Sequence, residues 1–549
     1  MSRVDGGRLV AKMLKKEGVK CIFTLCSLQV GPILIGCAEE GIQVIDVRHE
    51  QAAAHAADGW AKVTGQPGVA VVMGGPGVSG TMVAMANAFS SSSPMLLIAG
   101  RTAMSDWDRV PPQELDCALE FMRPITKWAR RVFDTKRIPD YVSTAFRQAI
   151  GPKPGPVFLE IPRDVLYGEV EETEITLPAG YRTTAKAEGD SALIAEAADL
   201  LSRAEKPVII AGSSVWWAQA AKELQDFVEK AEIPIFLNAM GRGAIPPEHR
   251  LFFSLTRRFA LNQADVVLSV GAPFDFRLGY GRPPLFREDV QVIYVDFDPV
   301  DIGFNRPVDV GIYGHIQAIL RQLAQEIVQR PRHSGRESWL EQLRAEEIKR
   351  RQADEPLLHS DAVPIHPLRL CREIRDFLNE DAIIIGDGGD IVTFGVRAFK
   401  IHHPGHWLDT GPMGCLGIGT GYAMAAKLAH PDKQVLLLSG DGSFGLNGME
   451  FDTMARHNIP VVCVIGNDAG WGEVRHEYAD RFGKVIGTNL AEARRYDKVV
   501  EALGGYGELV QRPEEIRPAL ERAFASGLPA CINVLTDPSV AYGRRGTLA

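Results

Sequence analysis

Asp441 stands in Gly440-Asp441-Gly442-Ser443, directly after the apolar run Val435-Leu436-Leu437-Leu438, and Asn467-Asp468 closes a second run, Val461-Val462-Cys463-Val464-Ile465. An acid and an amide or second acid, each at the C-terminal end of neighbouring parallel strands, converge on the crevice where open α/β sheets bind ligands. Hard oxygen donors beside glycine-freed backbone and a helix N-terminus suit a Mg²⁺-bound diphosphate. A third acid, Glu50, lies in Arg48-His49-Glu50-Gln51-Ala52-Ala53-Ala54-His55, where the run Ile42–Val47 ends and an Ala-rich helix begins. A carboxyl desolvated among small residues there suits proton exchange with a ring nitrogen. Taken alone, Glu50 reads first as a charge at a helix N-terminus, and its catalytic reading comes from the motifs around it.

Such positions need strands to aim them. Short β-branched runs alternate with helical periods along the whole chain, the pattern of parallel sheets with crossover helices. In the first third the expected strands are 20–25, 42–47, 68–74, 94–100 and 155–162, near-continuously apolar and hence buried on both faces. A charged stretch over 168–190 reads as a linker. A second set follows at 206–212, 233–239, 264–272 and 290–298, then a highly charged segment from Arg330 to Pro356, then a third set at 381–389, 434–442, 459–468 and 529–537. Segments 145–164 and 519–538 share one pattern, an amphipathic helix, a Gly/Pro turn and an apolar strand ending in an acid. The expected fold class is therefore α/β, three doubly wound parallel-sheet domains, the first and third of like topology around a Rossmann-like centre.

The 549 residues fit three to four domains at about 150 each. With 60 basic and 69 acidic residues the net charge is −9, no footprint for nucleic acid. The eight cysteines form no C-x-x-C pair and suggest reduced thiols in a cytoplasmic protein. The uncharged stretch between Lys62 and Arg101 is long enough to suggest a membrane span, but Gly74-Gly75-Pro76-Gly77 and Ser90-Ser91-Ser92-Ser93 interrupt it, so strands and loops are expected and no membrane partner.

Further glycine-rich segments accompany the acids: Gly74-Gly75-Pro76-Gly77-Val78-Ser79-Gly80 after a strand, Ala86-Asn87-Ala88, and Gly411-Pro412-Met413-Gly414-Cys415-Leu416-Gly417 before a glycine-dotted helix. With them the chain resembles, over nearly its whole length, the thiamine-diphosphate enzymes of the acetolactate synthase, benzaldehyde lyase and 2-hydroxyacyl-CoA lyase group, closest to bacterial 2-hydroxyacyl-CoA lyase. The resemblance implies a pyrimidine-binding domain over 1–170, a central domain over 190–330 and a diphosphate-binding domain over 360–549. It also implies a homodimer or homotetramer with active sites at the subunit interface. Glu50 then corresponds to the glutamate that promotes the imino tautomer of the aminopyrimidine, which generates the C2 ylide. Gly75, Pro76 and Asn87 fall on the pyrimidine side. Gly389, Asp390 and Ile391, with Gly442 and Ser443, match the diphosphate cradle, and Trp471 lies beside it. Gly414, Cys415 and Leu416 match the wedge that bends the cofactor, with Leu416 where Met is common. Asp441, Asp468 and the Gly470 carbonyl match the metal ligands. The family's usual Asn-Asn pair reads Asn467-Asp468 here, which leaves Asn467 as the alternative.

Among residues that would separate reactions, Gln113 matches an active-site glutamine, and Gln29 stands where benzaldehyde lyase has a histidine. Glu473 and His476 lie just beyond the metal loop, where the family closes the substrate pocket, and Glu492 is a further acid/base candidate. The leading expectation from the resemblance is cleavage of a 2-hydroxyacyl-CoA into formyl-CoA and an aldehyde or ketone. The alternative is decarboxylation of a 2-oxo acid with carboligation, as in acetolactate synthase, and a third reading is an inactive cofactor-binding regulatory subunit. Gly271-Ala272-Pro273-Phe274-Asp275-Phe276-Arg277 and Asp296-Phe297-Asp298 in the central domain are compatible with ADP or FAD. A CoA substrate would require a local arginine cluster, which the sequence does not locate.

Overall fold

The computed structural model describes residues 3–542. Positions 1–2 and 543–549, which fall in the expected first and third domains, lie outside the described residues. The first parallel sheet contains β1 (Cys21–Thr24), β2 (Gln43–Asp46), β3 (Gly68–Val72), β4 (Met95–Arg101), β5 (Trp128–Arg131) and β6 (Val157–Pro162), in the order β2-β1-β3-β4-β6-β5. The central sheet contains β7 (Pro207–Ala211), β8 (Ile235–Leu237), β9 (Val266–Val270), β10 (Gln291–Asp296) and β11 (Val310–Tyr313), ordered β8-β7-β9-β10-β11. The third contains β12 (Ile383–Asp387), β13 (Trp407–Leu408), β14 (Val435–Gly440), β15 (Val462–Asn467), β16 (Tyr506–Val510) and β17 (Ala530–Leu535), ordered β13-β12-β14-β15-β17-β16. The first and third sheets thus have one topology. The two similar segments noticed in the sequence end in β6 and β17, which occupy equivalent places.

β3, β4 and β6 are buried along their whole length, as parallel strands covered on both faces must be. Seven helices matter below: α1 (Glu50–Thr64), α2 (Pro76–Ser90), α3 (Arg336–Leu358), α4 (Asp390–Ala398), α5 (Gly419–Ala429), α6 (Asp441–Asn447) and α7 (Gly472–Phe482). The uncharged stretch between Lys62 and Arg101 resolves into β3, α2 and β4. No helix among the described residues is long and apolar enough to cross a membrane.

The charged segment expected to separate the second and third domains is the helix α3. Its Trp339, Leu340 and Leu343 are buried in the central core, and buried Arg336 donates to the Ala231 carbonyl at 2.8 Å. At its other end Asp354 accepts from Arg397 Nε on α4 at 2.6 Å. The helix therefore ties the two domains together.

The first and third domains meet where α1 crosses α5. A Cβ at Gly59 would come within 2.7 Å of the Tyr422 backbone, so only glycine permits this approach. At the crossing the Tyr422 hydroxyl donates to Asp58 and accepts from Lys62 Nζ at 2.6 Å and Asn87 Nδ2 at 2.9 Å. Lys62 and Asp58 also form an ion pair at 3.3 Å, both almost wholly buried. Asn87 is thus committed to the interdomain network, which corrects its expected place at the cofactor: its carboxamide donates to Asp58 and Tyr422 inside the protein.

Candidate active site

The C-terminal ends of β12, β14 and β15 open on one cleft of about 380 Å³. β14 runs directly into α6, which makes Asp441 the first residue of that helix. Its Oδ1 accepts from Gly442 N at 2.9 Å and its Oδ2 from Gly470 N at 3.1 Å, so the carboxylate ties two loops together. Asp468 lines the same cleft. Burial and the proximity of Asp468 push the Asp441 carboxyl up to about 7. Burial also raises Asp468, against the opposing attraction of Arg475.

Two carboxylates held together away from bulk water are an arrangement that a cation relieves. No cluster of three His, Cys, Asp or Glu set for a metal occurs among the described residues. Two carboxylates and a backbone carbonyl are nevertheless a sufficient protein share for Mg²⁺, which takes its other ligands from phosphate and water. The wall of the cleft packs closely behind its glycines. A Cβ at Gly442 would fall 2.7 Å from the Trp471 ring, and one at Gly470 2.5 Å from Arg475. These residues fit a metal-bound diphosphate.

Gly389, Asp390, Ile391, Gly414, Leu416, Gly442, Ser443, Gly470 and Trp471 line the cleft with the two aspartates. Cys415 does not. Its side chain packs into the core, and burial pushes its thiol up to about 11. Its neighbours Gly414 and Leu416 line the cleft while Cys415 turns away. Asn467 is also corrected: it ends β15 with its amide turned inward, Nδ2 donating to Asn533 Oδ1 at 3.0 Å and Oδ1 accepting from Ala469 N at 3.2 Å. Glu492 is exposed in a turn before the helix Tyr496–Ala502 and lies outside the cleft lining. Glu473, expected where the family closes the substrate pocket, lines the cleft, and burial together with Asp390 and Glu477 raises its carboxyl.

A second patch gathers around the start of α2. Glu50, 9% exposed, opens α1 behind His49, whose Nδ1 accepts from Gln51 N at 3.0 Å. Glu50 faces α2 across Gly80, where a Cβ would stand 3.6 Å from Oε2. Gly75, at φ +58°, presses on the Gln113 backbone just before Pro76 opens the helix. Gln29 is buried, its Oε1 accepting from Gly74 N at 2.8 Å, whereas Gln113 is exposed. None of these residues lines the Asp441 cleft. The two groups of residues share no cavity within the chain.

Beside the cleft, between the central and third domains, lies a second cavity of about 510 Å³. Nine arginine and lysine side chains line it against two acids, Asp354 and Glu355, and Arg242 and Arg277 line both cavities. Arg277 pairs with Asp275 at 2.5 Å. The guanidiniums of Arg242, Arg257 and Arg258 make no hydrogen bond or ion pair among the described residues. Burial and the neighbouring Arg242 and Arg277 push Arg257 down to about 10. The sequence missed these arginines because they come singly or as a pair from three domain segments without a motif; only the fold assembles them. The acid of Asp296-Phe297-Asp298 at the end of β10, Asp296, accepts from Ser214 Oγ at 2.9 Å, and burial pushes it up to about 6.

Two like domains flanking a different one, with a paired-carboxylate cleft at strand ends in the third and a glutamate at a helix start in the first, define an enzyme class that works through a diphosphate-bearing cofactor. The family models agree in order and extent: the N-terminal thiamine pyrophosphate binding domain matches residues 4–119, the central domain of such enzymes 194–323, and the C-terminal binding domain 387–534. The chain belongs to the thiamine pyrophosphate enzymes. It is 44% identical to the acetolactate synthase large subunit IlvG of Mycobacterium tuberculosis, over 100% of this chain and 98% of that protein. It is 34% identical to 2-hydroxyacyl-CoA lyase 2 of Bos taurus, covering 96% and 90%, and 31% identical to 2-hydroxyacyl-CoA lyase of Arabidopsis thaliana, covering 97% and 96%.

Proposed function

We propose that the protein decarboxylates a 2-oxo acid and joins the acyl fragment to a second carbonyl compound, an acetolactate-synthase-type reaction. The observation that carries this reading is the full-length 44% identity to a protein of that name, well above the level reached by the lyases. It reverses the order of the two reactions expected from the resemblance. Bound thiamine diphosphate supplies the nucleophilic carbon and the electron sink for breaking a bond beside a carbonyl. The rest is the work of this chain. Asp441, Asp468 and the Gly470 carbonyl would hold Mg²⁺, and the backbone at Gly389 and Gly442 would receive the diphosphate. Glu50 would hold a proton at a pyrimidine nitrogen from the second half-site, so a complete site needs another copy of the chain in a homodimer or homotetramer. Arg242 and Arg277, where the two cavities join, would orient the substrate carboxylate.

The arginine-lined cavity favours a second reading, cleavage of a 2-hydroxyacyl-CoA. Unpaired guanidiniums in a partly buried space suit the phosphates of an acyl-CoA, or of a resident ADP or FAD. Holoenzyme incubated separately with pyruvate and with a 2-hydroxyacyl-CoA, while CO₂ and formyl-CoA are followed, separates the readings. CO₂ without thioester cleavage supports the first, and formyl-CoA with inert pyruvate replaces it by the second. Glu50→Gln should lose turnover while cofactor binding persists; unchanged turnover excludes the role given to Glu50.

A further inference from the structure

Arg475 on α7 holds the candidate metal ligand Asp468. Its Nη2 pairs with Asp468 Oδ2 at 2.7 Å and donates to the Pro538 carbonyl at 3.1 Å, while Nη1 donates to the Asp468 carbonyl at 3.1 Å. Both side chains are largely buried, at 14% and 20% exposure. The guanidinium lies so close to the loop that any side chain at Gly470 would strike it. This Arg therefore grips both the backbone and the side chain of the residue that stands where an amide would leave the cleft one negative charge poorer.

We infer that Arg475 is a positioning and charge-balancing residue for the metal site: it neutralises the extra charge that Asp468 brings and fixes that carboxylate toward the cleft. The inference rests on the Mg²⁺-diphosphate reading of the cleft. A negative surplus would draw a cation more tightly and repel a diphosphate, so the two affinities respond to Arg475 with opposite signs. A residue that merely braced the loop would weaken both together.

The test uses the full chain freed of metal and cofactor with a chelator. Mn²⁺ binding is read from the electron paramagnetic resonance of the free ion, and thiamine diphosphate binding at saturating Mg²⁺ from quenching of tryptophan emission. Arg475→Gln should tighten Mn²⁺ and loosen thiamine diphosphate, each roughly three- to tenfold. Asp468→Asn should shift both the other way, and the Asp468→Asn/Arg475→Gln double variant should return to within about twofold of wild type, because the pair again carries no net charge. Arg475→Lys, which keeps the charge, should leave Mn²⁺ affinity near wild type. Shifts of the same sign in Arg475→Gln, or a double variant that stays more than threefold from wild type in either affinity, overturn the inference. Wild-type chain that binds neither Mn²⁺ nor thiamine diphosphate overturns the reading of the cleft itself.

Discussion

Removing one oxygen atom at the crossing of α1 and α5 should loosen the protein measurably. A phenol has one proton to donate and two lone pairs to accept with, and Tyr422 uses all three, toward Asp58, Lys62 and Asn87. In Tyr422→Phe, Lys62 keeps only Asp58 at 3.3 Å and Ser91 Oγ at 3.4 Å, and Asn87 keeps Asp58 at 3.1 Å. Asp58 loses a donor while its Oδ1 already lacks a hydrogen-bond partner. Two of the three lost bonds involve a charge, at roughly 1.5–3 kcal/mol each, so the cost should be about 3 kcal/mol or somewhat more. Asp58→Ala is expected to be worse, about 3–5 kcal/mol, because it strands the Lys62 ammonium in the interior. Equilibrium urea unfolding followed by tryptophan emission measures both. Because the network joins two domains, the variants should also split the transition into separate steps. An unmoved midpoint in Tyr422→Phe, or an Asp58→Ala variant more stable than Tyr422→Phe, would refute the reasoning.

His55, fully buried on the same helix, is held down to about 4, chiefly by burial and against the attraction of Asp58. Its neutral form is the one that fits, so its contribution is complete above its ordinary value near 6.5 and drains away as pH falls toward 4, with roughly 2 kcal/mol lost by pH 5. Thermal midpoints of wild type between pH 6.5 and 5 should fall more steeply than those of His55→Gln; parallel profiles would exclude this origin. Arg257→Gln should raise KM for a CoA thioester, or Kd for ADP, about tenfold while changing KM for pyruvate less than twofold, and steady-state kinetics with both substrate types checks this.

The sequence located the strands that sit inside the sheets and two at their borders, β2 and β8, and missed the other four border strands. Trp128–Arg131, Val310–Tyr313, Trp407–Leu408 and Tyr506–Val510 are all edge strands. Edge strands need no continuous apolar run, so the signal that marks a buried strand is absent from them. A similar limit governed the site. Motif spacing placed Asp441, Asp468, Leu416 and Trp471 on the cleft, but spacing cannot say which of two adjacent side chains points inward. Asn467 and Cys415 stand one residue from cleft-lining neighbours and face the other way. Asn87 was misplaced for a different reason: its partners Asp58 and Tyr422 are 29 and 335 residues away. The arginine cavity draws on the central domain, α3 and α4, a convergence no local pattern announces.

That cavity gives the molecule a potential of two signs. Within about a Debye length of the outer surface, 8–10 Å at physiological ionic strength, an anion meets a body of net charge −9 and is mildly repelled. Inside the mouth it meets nine cationic side chains and two acidic ones. Added salt thins the outer barrier and weakens the inner hold together, so encounter and retention of a phosphorylated ligand respond to ionic strength in opposite directions.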